Sequence, residues 1–247
     1  MKIFQISDIH IGNINQKTHG VDTRKNFLKV LEYSKDIKFD RYLISGDLAF
    51  REPSKNIYKW IKTRLDRFEH RYHIIPGNHD DSKLLSEVFN VETINSKEIF
   101  YHEVYKYYLL IFLDTSNSRI SSKQLKRIKE LANIYTDKKI VLFMHHPPVK
   151  TGCKYMDIKY QLLNQNDFWK EIKEIQNISQ IFSGHQHCDK EISINKINVY
   201  VAPSTFFQIN CDLEYFEVAS YNIGYRIINI AKNSITSYVN YLSSGEK

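Results

Sequence analysis

Histidine and aspartate fall in short groups along this chain: Asp8-Ile9-His10, Gly46-Asp47, Gly77-Asn78-His79-Asp80, His145-His146 and Gly184-His185-Gln186-His187. Imidazole nitrogens mixed with carboxylate and amide oxygens, without a thiolate, are the donors of a working site for Mn, Fe or Zn rather than of a structural zinc-cysteine site. Positions i and i+2 of an extended or turning segment point to one side. Asp8 with His10, and His185 with His187, are therefore expected to direct two donors each into one cavity. The glycines ahead of Asp47, Asn78 and His185 suit tight turns and close approach of backbone to an ion or phosphate. Asp47 is the candidate bridge between two ions.

Each group has a plainer reading when taken singly. Asp-x-His at a strand end is commonly a solvated polar pair, Gly-Asp a turn, Asn-His-Asp after Pro-Gly a loop, and a His pair a strand cap. Their conjunction is what carries weight, because each group follows an apolar run of strand character: Ile3 to Ile6, Tyr42 to Ser45, Tyr72 to Ile75, Ile140 to Met144 and Ile178 to Phe182. In an α/β sheet the carboxyl ends of the strands converge on one crevice, where ligands bind.

Helical periodicity separates these runs. It covers Val21 to Ile37 (Phe27, Leu28, Leu31, Ile37), the stretch from Ser54 with Ile57, Trp60, Ile61, Leu65 and Phe68, then Ser121 to Ile134 and about Asn166 to Gln176. Ile99 to Tyr105 and Tyr108 to Leu113 read as adjacent strands, and the unbroken IVLFM run at 140 to 144 suits a strand covered on both faces. Glu191 to Ile194, Val199 to Val201, Phe206 to Ile209, Tyr225 to Ile230 and Ile235 to Tyr241 also have strand character. The expected architecture is two sheets face to face with helices outside, in a single domain over 1–247.

The ordered series Asp8-x-His10, Gly46-Asp47, Gly77-Asn78-His79-Asp80, His145 and Gly184-His185-x-His187 resembles the motif series of the calcineurin-like metallophosphoesterases, over about Met1 to Cys188. The resemblance implies a four-layer α/β/β/α sandwich with a two-metal site. It assigns Asp8, His10, Asp47 and His187 to one metal, Asp47, Asn78, His145 and His185 to the other, and an outer catalytic role to His79. Smaller features are similar to the class III cyclic nucleotide phosphodiesterases: Asp114-Thr115 with Gln124-Leu125, His146-Pro147-Pro148, Tyr155-Met156-Asp157, Leu163-Asn164, Phe168-Trp169, and Ala202-Pro203-Ser204-Thr205 near Gln208. Asn222-Ile223 stands where that branch often has Pro ahead of Gly-Tyr-Arg.

The activity so implied is hydrolysis of 3′,5′-cyclic nucleotides, cAMP to AMP, by in-line attack of a hydroxide bridging two divalent or mixed-valence ions. His79 is expected to protonate the departing ribose oxygen, with Asp80 orienting it or closing the turn. His146 is expected beside the site, touching substrate or capping a strand, and Pro147 to Gln165, with Lys150, Lys154, Tyr155 and Met156, is the expected nucleobase contact. His19, His70, His73 and His102 read as surface or packing residues. The alternative is another metallophosphodiesterase: a nuclease, a glycerophosphodiesterase or a UDP-diacylglucosamine pyrophosphohydrolase.

Composition bounds these readings. The 247 residues are 42% hydrophobic and 26% charged, too apolar for a disordered chain. No run reaches the roughly 18 apolar residues of a spanning helix. The opening MKIFQISDIHIG reads as a strand entering a motif, so neither a signal peptide nor a membrane partner is expected. The net charge of +7 favours an anionic partner without a basic block that would single out nucleic acid. Cys153, Cys188 and Cys211 are odd in number and far apart in sequence, which suits a reducing, cytoplasmic setting. A homodimer is compatible with the sequence.

Overall fold

The computed structural model describes every residue except 15, 17, 69 and 245–247. In chain order, β1 (Lys2–Ile6), α1 (Thr23–Ser34), β2 (Arg41–Ser45), α2 (Lys55–Leu65) and β3 (Arg71–Ile75) form two crossovers, and α3 (Ser82–Phe89) follows. Then come β4 (Thr93–Ile94), β5 (Glu98–Tyr105), β6 (Tyr108–Leu113), α4 (Ser122–Ile134), β7 (Lys139–Phe143), α5 (Lys154–Lys159), α6 (Gln165–Ile172), β8 (Ile178–Ser183), β9 (Lys190–Ile194) and β10 (Ile197–Val201). A short ribbon of β11 (Gln208–Ile209) and β12 (Val218–Ser220) precedes the hairpin of β13 (Ile223–Ile230) and β14 (Ile235–Leu242).

One sheet has the order β14-β13-β1-β2-β3 and the other β4-β5-β6-β7-β8-β10-β9. The strands that carry the His and Asp groups lie parallel within each sheet, β1 to β2 to β3 in the first and β7 to β8 in the second. Their carboxyl ends therefore open at one edge of each sheet.

Side-chain alternation makes the layers. Phe4, Ile6, Tyr42 and Ile44 face α1 and α2 in one buried cluster, while Leu109, Ile111, Ile140 and Leu142 face α4 and α6 in another. Ile3, Leu43, Leu110, Phe112, Val141 and Phe143 fill the space between the sheets. The expected α/β/β/α sandwich is the observed one, and the unbroken 140 to 144 run is apolar because both of its faces are covered. Between the sheets, Tyr101, Phe112, Phe143, Phe182 and Tyr200 stack in a row across five strands, with successive ring centroids 4.5, 4.9, 5.6 and 4.9 Å apart. Such a row fixes strand register, since a one-residue slip would turn every ring out of it.

The helix starts follow from short polar side chains. Asp22, Ser54, Asp81 and Ser121 each accept a hydrogen bond from the backbone N–H three residues on. The first helix is Thr23–Ser34 rather than Val21 to Ile37, and the later one is Gln165–Ile172 rather than Asn166 to Gln176. Two helices are absent from the sequence expectation: the eight-residue α3, ended by Asn90 in the left-handed region, although Leu84, Leu85, Val88 and Phe89 pack on one core, and the six-residue α5, too short to show a clear period. The strand expected over Phe206 to Ile209 is reduced to Gln208–Ile209, because Phe206 and Phe207 turn into a separate aromatic cluster.

A polar link also joins the sheets. Glu103 of β5 pairs with Arg41 of β2 and accepts a hydrogen bond from His73 Nε2 of β3 at 3.0 Å. The His73 hydrogen bond, with the Arg41 guanidinium beside it, holds the Glu103 carboxyl below its ordinary value, against the opposing effect of burial. Burial in turn lowers His73, which stays neutral and donates.

A carboxyl lowered by folding contributes stability above its unfolded value, and loses that contribution as pH falls through its folded value. Glu103→Gln should therefore lower the melting temperature at neutral pH, and the gap from its parent should close as pH falls below the ordinary glutamate range and through the lowered value. Glu103 also raises His73, so its loss would shift that titration too, and the two proteins are therefore compared in a His73→Gln background, where Arg41 still lowers the carboxyl. A gap that stays constant on acidification would show that Glu103 holds the sheets by packing alone.

Candidate metal centre

Asp8 and His10 leave β1, Asp47 leaves β2, and Asn78 and His79 leave β3, while His145 follows β7 and His185 and His187 follow β8. All eight residues predicted from sequence lie at the shared edge of the two sheets. Backbone hydrogen bonds keep the exits side by side: Asp8 N to Gly46 O (3.1 Å), His10 N to Asp47 O (2.9 Å) and Gly184 N to His145 O (3.0 Å).

These segments are not extended. Asp8, His10, Asp47, His185 and His187 have φ of 54°, 43°, 52°, 72° and 49°, in the left-handed region that side-chain-bearing residues seldom occupy. The i, i+2 pairs thus reach one cavity through successive left-handed turns, not through strand alternation. Of the two backbones the spacing allows, extended or turning, the turning one is observed, and the shared cavity stands. Strain of this kind costs of order 1–3 kcal/mol per residue and collects at functional sites.

Asp8 and Asp47 occupy the middle. Asp8 Oδ2 accepts from Ser7 Oγ and from His185 N (3.0 Å), which leaves Oδ1 buried without a hydrogen bond. That Oδ1 faces His187 Nε2 at 3.5 Å and His145 Nε2 at 3.9 Å. Asp47 has an oxygen on each side, Oδ1 at 3.5 Å from His145 Nε2 and Oδ2 at 3.5 Å from His10 Nε2. The same Oδ1 accepts from His79 N at 2.9 Å. His10 Nε2 and His187 Nε2 lie 3.2 Å apart.

Three imidazoles are oriented from behind by carbonyl oxygens: His145 Nδ1 to Ser45 O (2.8 Å), His187 Nδ1 to Phe207 O (3.0 Å) and His185 Nε2 to Tyr160 O (2.6 Å). A carbonyl only accepts, so those nitrogens carry the proton and the opposite nitrogen of each ring turns a lone pair inward. His145 Nε2 and His185 Nδ1 are indeed buried without a hydrogen-bond partner. Unpaired acceptors beside two carboxylates are costly unless a cation sits among them, so this donor set fits metal ions. Two groups are tight enough to hold one ion each, Asp8 with His10 and His187, and Asp47 with His145 and His185. His79 also comes close to His10 and Asp47, and Asn78 lines the same cleft.

The electrostatics point the same way. Burial lowers His10 and His187 to about 4 and His185 to about 3, leaving neutral donors. Burial would lower His145 too, yet Asp47 and Asp8 raise it to about 9, so without metal a proton there answers the two carboxylates. Burial raises Asp8, whereas His145 and His10 hold Asp47 well below the usual carboxylate range despite its burial.

Other expectations change in detail. Asp80 accepts from Gly77 N, Leu48 N, Ala49 N and Tyr58 Oη, so it closes the turn and does not orient the His79 ring. His146 is buried behind His185, ring centroids 4.1 Å apart, bonded to Thr115 Oγ1 and outside the cleft lining. Tyr155 and Met156 line the cleft, while Lys150 and Lys154 do not. His19 is not a mere surface residue, because it lines the cleft near Phe50, Phe206, Phe207 and Phe216. His73 is packed, stacked on Phe112 at 4.1 Å. The cleft has a volume of about 540 Å³, and its apolar side is built by Phe50, Phe206, Phe207, Phe216, Tyr155 and Tyr160. Arg51 is its one Lys or Arg among the described residues. Arg51 and the phenylalanines carry no motif, so nothing in the sequence marks them as site residues.

The calcineurin-like phosphoesterase family model matches residues 1–189, which contain every predicted donor. The chain belongs to the calcineurin-like phosphoesterase family. It is by that membership a metal-dependent phosphoesterase, and the family implies two divalent metals. A protein of Fibrobacter succinogenes named as a probable cyclic nucleotide phosphodiesterase is 33% identical over 241 residues, 97% of this chain and 93% of the relative. One of Vibrio vulnificus named as a 3′,5′-cyclic adenosine monophosphate phosphodiesterase is 26% identical over 254 residues, 99% of this chain and 91% of the relative. A dimetal phosphatase from Danio rerio shares the fold with a TM-score of 0.68 at 11% identity, over 92% of this chain and 94% of the other.

Gly46 shows how little room the centre leaves. Its φ is +99°, and a Cβ there would overlap the His145 imidazole. Gly46→Ala should therefore weaken Mn binding and lower the melting temperature, the left-handed strain alone being of order 1–3 kcal/mol. Wild-type melting and full metal stoichiometry in that variant would show that the position tolerates a side chain.

Proposed function

We propose that this protein is a dinuclear phosphodiesterase of 3′,5′-cyclic nucleotides that converts cAMP to AMP. One observation carries the reading: a His/Asp floor suited to metal and an aromatic wall face each other across a cleft sized for one nucleotide. Pockets of roughly 300–1,000 Å³ hold small ligands, and base stacking on an aromatic ring is worth about 1–3 kcal/mol. The names of the relatives agree with this choice of substrate.

In this assignment Asp8, His10, Asp47 and His187 hold one ion, and Asp47, Asn78, His145 and His185 hold the other. The mixed donors suit Mn, Fe or Zn. Two such ions supply water activation and polarisation of the phosphoryl oxygens. The chain's own residues do the rest. Phe207, Phe216 and Tyr155 orient the base, and Arg51 offsets phosphate charge at the mouth of the cleft. His79, partly exposed and tied through its backbone to Asp47, gives a proton to the departing ribose oxygen. The three free thiols suit the reducing cytoplasm.

His79→Ala should lower kcat by about 10²- to 10⁴-fold while two metal equivalents remain bound. Loss of one equivalent would instead make His79 a ligand. With Mn added, a panel of cAMP, cGMP, bis(p-nitrophenyl) phosphate, a glycerophosphodiester and DNA should give the highest kcat/KM for a cyclic nucleotide. Turnover of DNA or the glycerophosphodiester without turnover of cAMP would overturn the assignment of substrate.

A further inference from the structure

The three cysteines, far apart in sequence, meet in space. Their Sγ atoms all lie within 4.8 Å of one another, with Cys153 and Cys188 buried and Cys211 half-buried. Cys153 is the N-cap residue of α5 and its side chain accepts no cap bond, Cys188 directly follows His187, and Cys211 lies just past β11. The backbones of these three segments are already tied together, by Lys154 N to Cys211 O (3.0 Å), Tyr155 N to Leu213 O (3.0 Å) and Ile209 N to His187 O (2.9 Å). Phe50, Met156, Phe206, Phe207 and Ile209 pack around the sulfurs in one apolar cluster.

We infer that Cys153, Cys188 and Cys211 form a third metal site, an all-thiolate one for a thiophilic dication such as Zn²⁺. Zinc–sulfur bonds of about 2.3 Å in trigonal or tetrahedral geometry place sulfurs roughly 3.8–4.0 Å apart, a spacing inside the 4.8 Å within which the three sulfurs already lie. A disulfide would need two of the sulfurs at about 2.05 Å and would leave the third unused. Three thiolates and a dication carry one net negative charge, and Lys190 lies near enough to Cys211 to offset it. The half-burial of Cys211 leaves a side open for a fourth ligand from solvent, while the phenylalanines exclude water from the rest.

The site shares no residue with the His/Asp centre and differs from it in chemistry, soft sulfur against nitrogen and oxygen. Its position gives it a consequence. It would clip the segment that carries Tyr155 and Met156 to the segment that carries His187, and so fix one wall of the cleft. The inference does not depend on the identity of the substrate.

The test uses the whole protein, purified with reductant and stripped by chelator, with Co²⁺ as the probe. The wild type should develop intense near-ultraviolet sulfur-to-cobalt charge-transfer absorption for one of three bound equivalents, and Zn²⁺ should erase it. Cys211→Ser should weaken Co²⁺ at that equivalent by more than about 100-fold, beyond the 10- to 100-fold typical of losing an outer partner, and leave the other two in place. Absence of thiolate absorption from the reduced wild type, which needs no variant to fold, would overturn the inference. So would a charge-transfer band unchanged in Cys211→Ser, or wild-type protein prepared without reductant that is two hydrogens lighter and has a single titratable thiol.

Discussion

Two carboxylates, Asp8 and Asp47, stand within 4 Å of imidazoles in a place almost closed to water, and everything else at this edge of the sandwich answers to that. Burying such charge is costly unless opposite charge and hydrogen bonds compensate it. The metal-free arrangement does this with a proton raised to high affinity on His145. The carbonyls of Phe207 and Tyr160 keep the neutral His187 and His185 turned so that lone pairs, not N–H groups, face inward, while Ser45 O holds His145 with its Nε2 toward both carboxylates. That orientation is wasteful for a proton network and well suited to cations.

The backbone bears the cost of this crowding. Left-handed conformations at Asp8, His10, Asp47, His185 and His187 are unfavourable one by one, and they persist because parallel strands on either side hold the loop ends. Gly184 meets the same constraint as Gly46, since a Cβ there would overlap Ser7 Oγ, the group that fixes Asp8. The row of stacked rings holds the strands of the seven-stranded sheet in register, and the Arg41–Glu103–His73 link, with His73 stacked on Phe112, ties that sheet to the other.

The cleft has two halves of different origin. Its floor comes from the first 189 residues, the part that matches the family, whereas Phe206, Phe207 and Phe216 of its wall come from the chain beyond. The His/Asp floor and part of the aromatic wall thus come from separate stretches, with Phe50, Tyr155 and Tyr160 of the wall still in the earlier one, and the cysteine cluster joins the two, since Cys211 lies in the later stretch and Cys188 in the earlier.

Much of this was legible in sequence because its signals are local. Strand and helix periods, the glycines at tight exits and the ordered His/Asp groups predicted the sandwich and brought the candidate donors to one edge, because parallel strands must release their ends together. Tertiary structure alone decided the rest. The left-handed turns come from crowding by neighbouring loops, the position of His19 and Arg51 from the meeting of two separate loops at the cleft, and the fate of Asp80 from N–H groups on another strand exit. The meeting of Cys153, Cys188 and Cys211 depends on contacts among residues up to 58 positions apart, and spacing along a chain holds no record of such contacts.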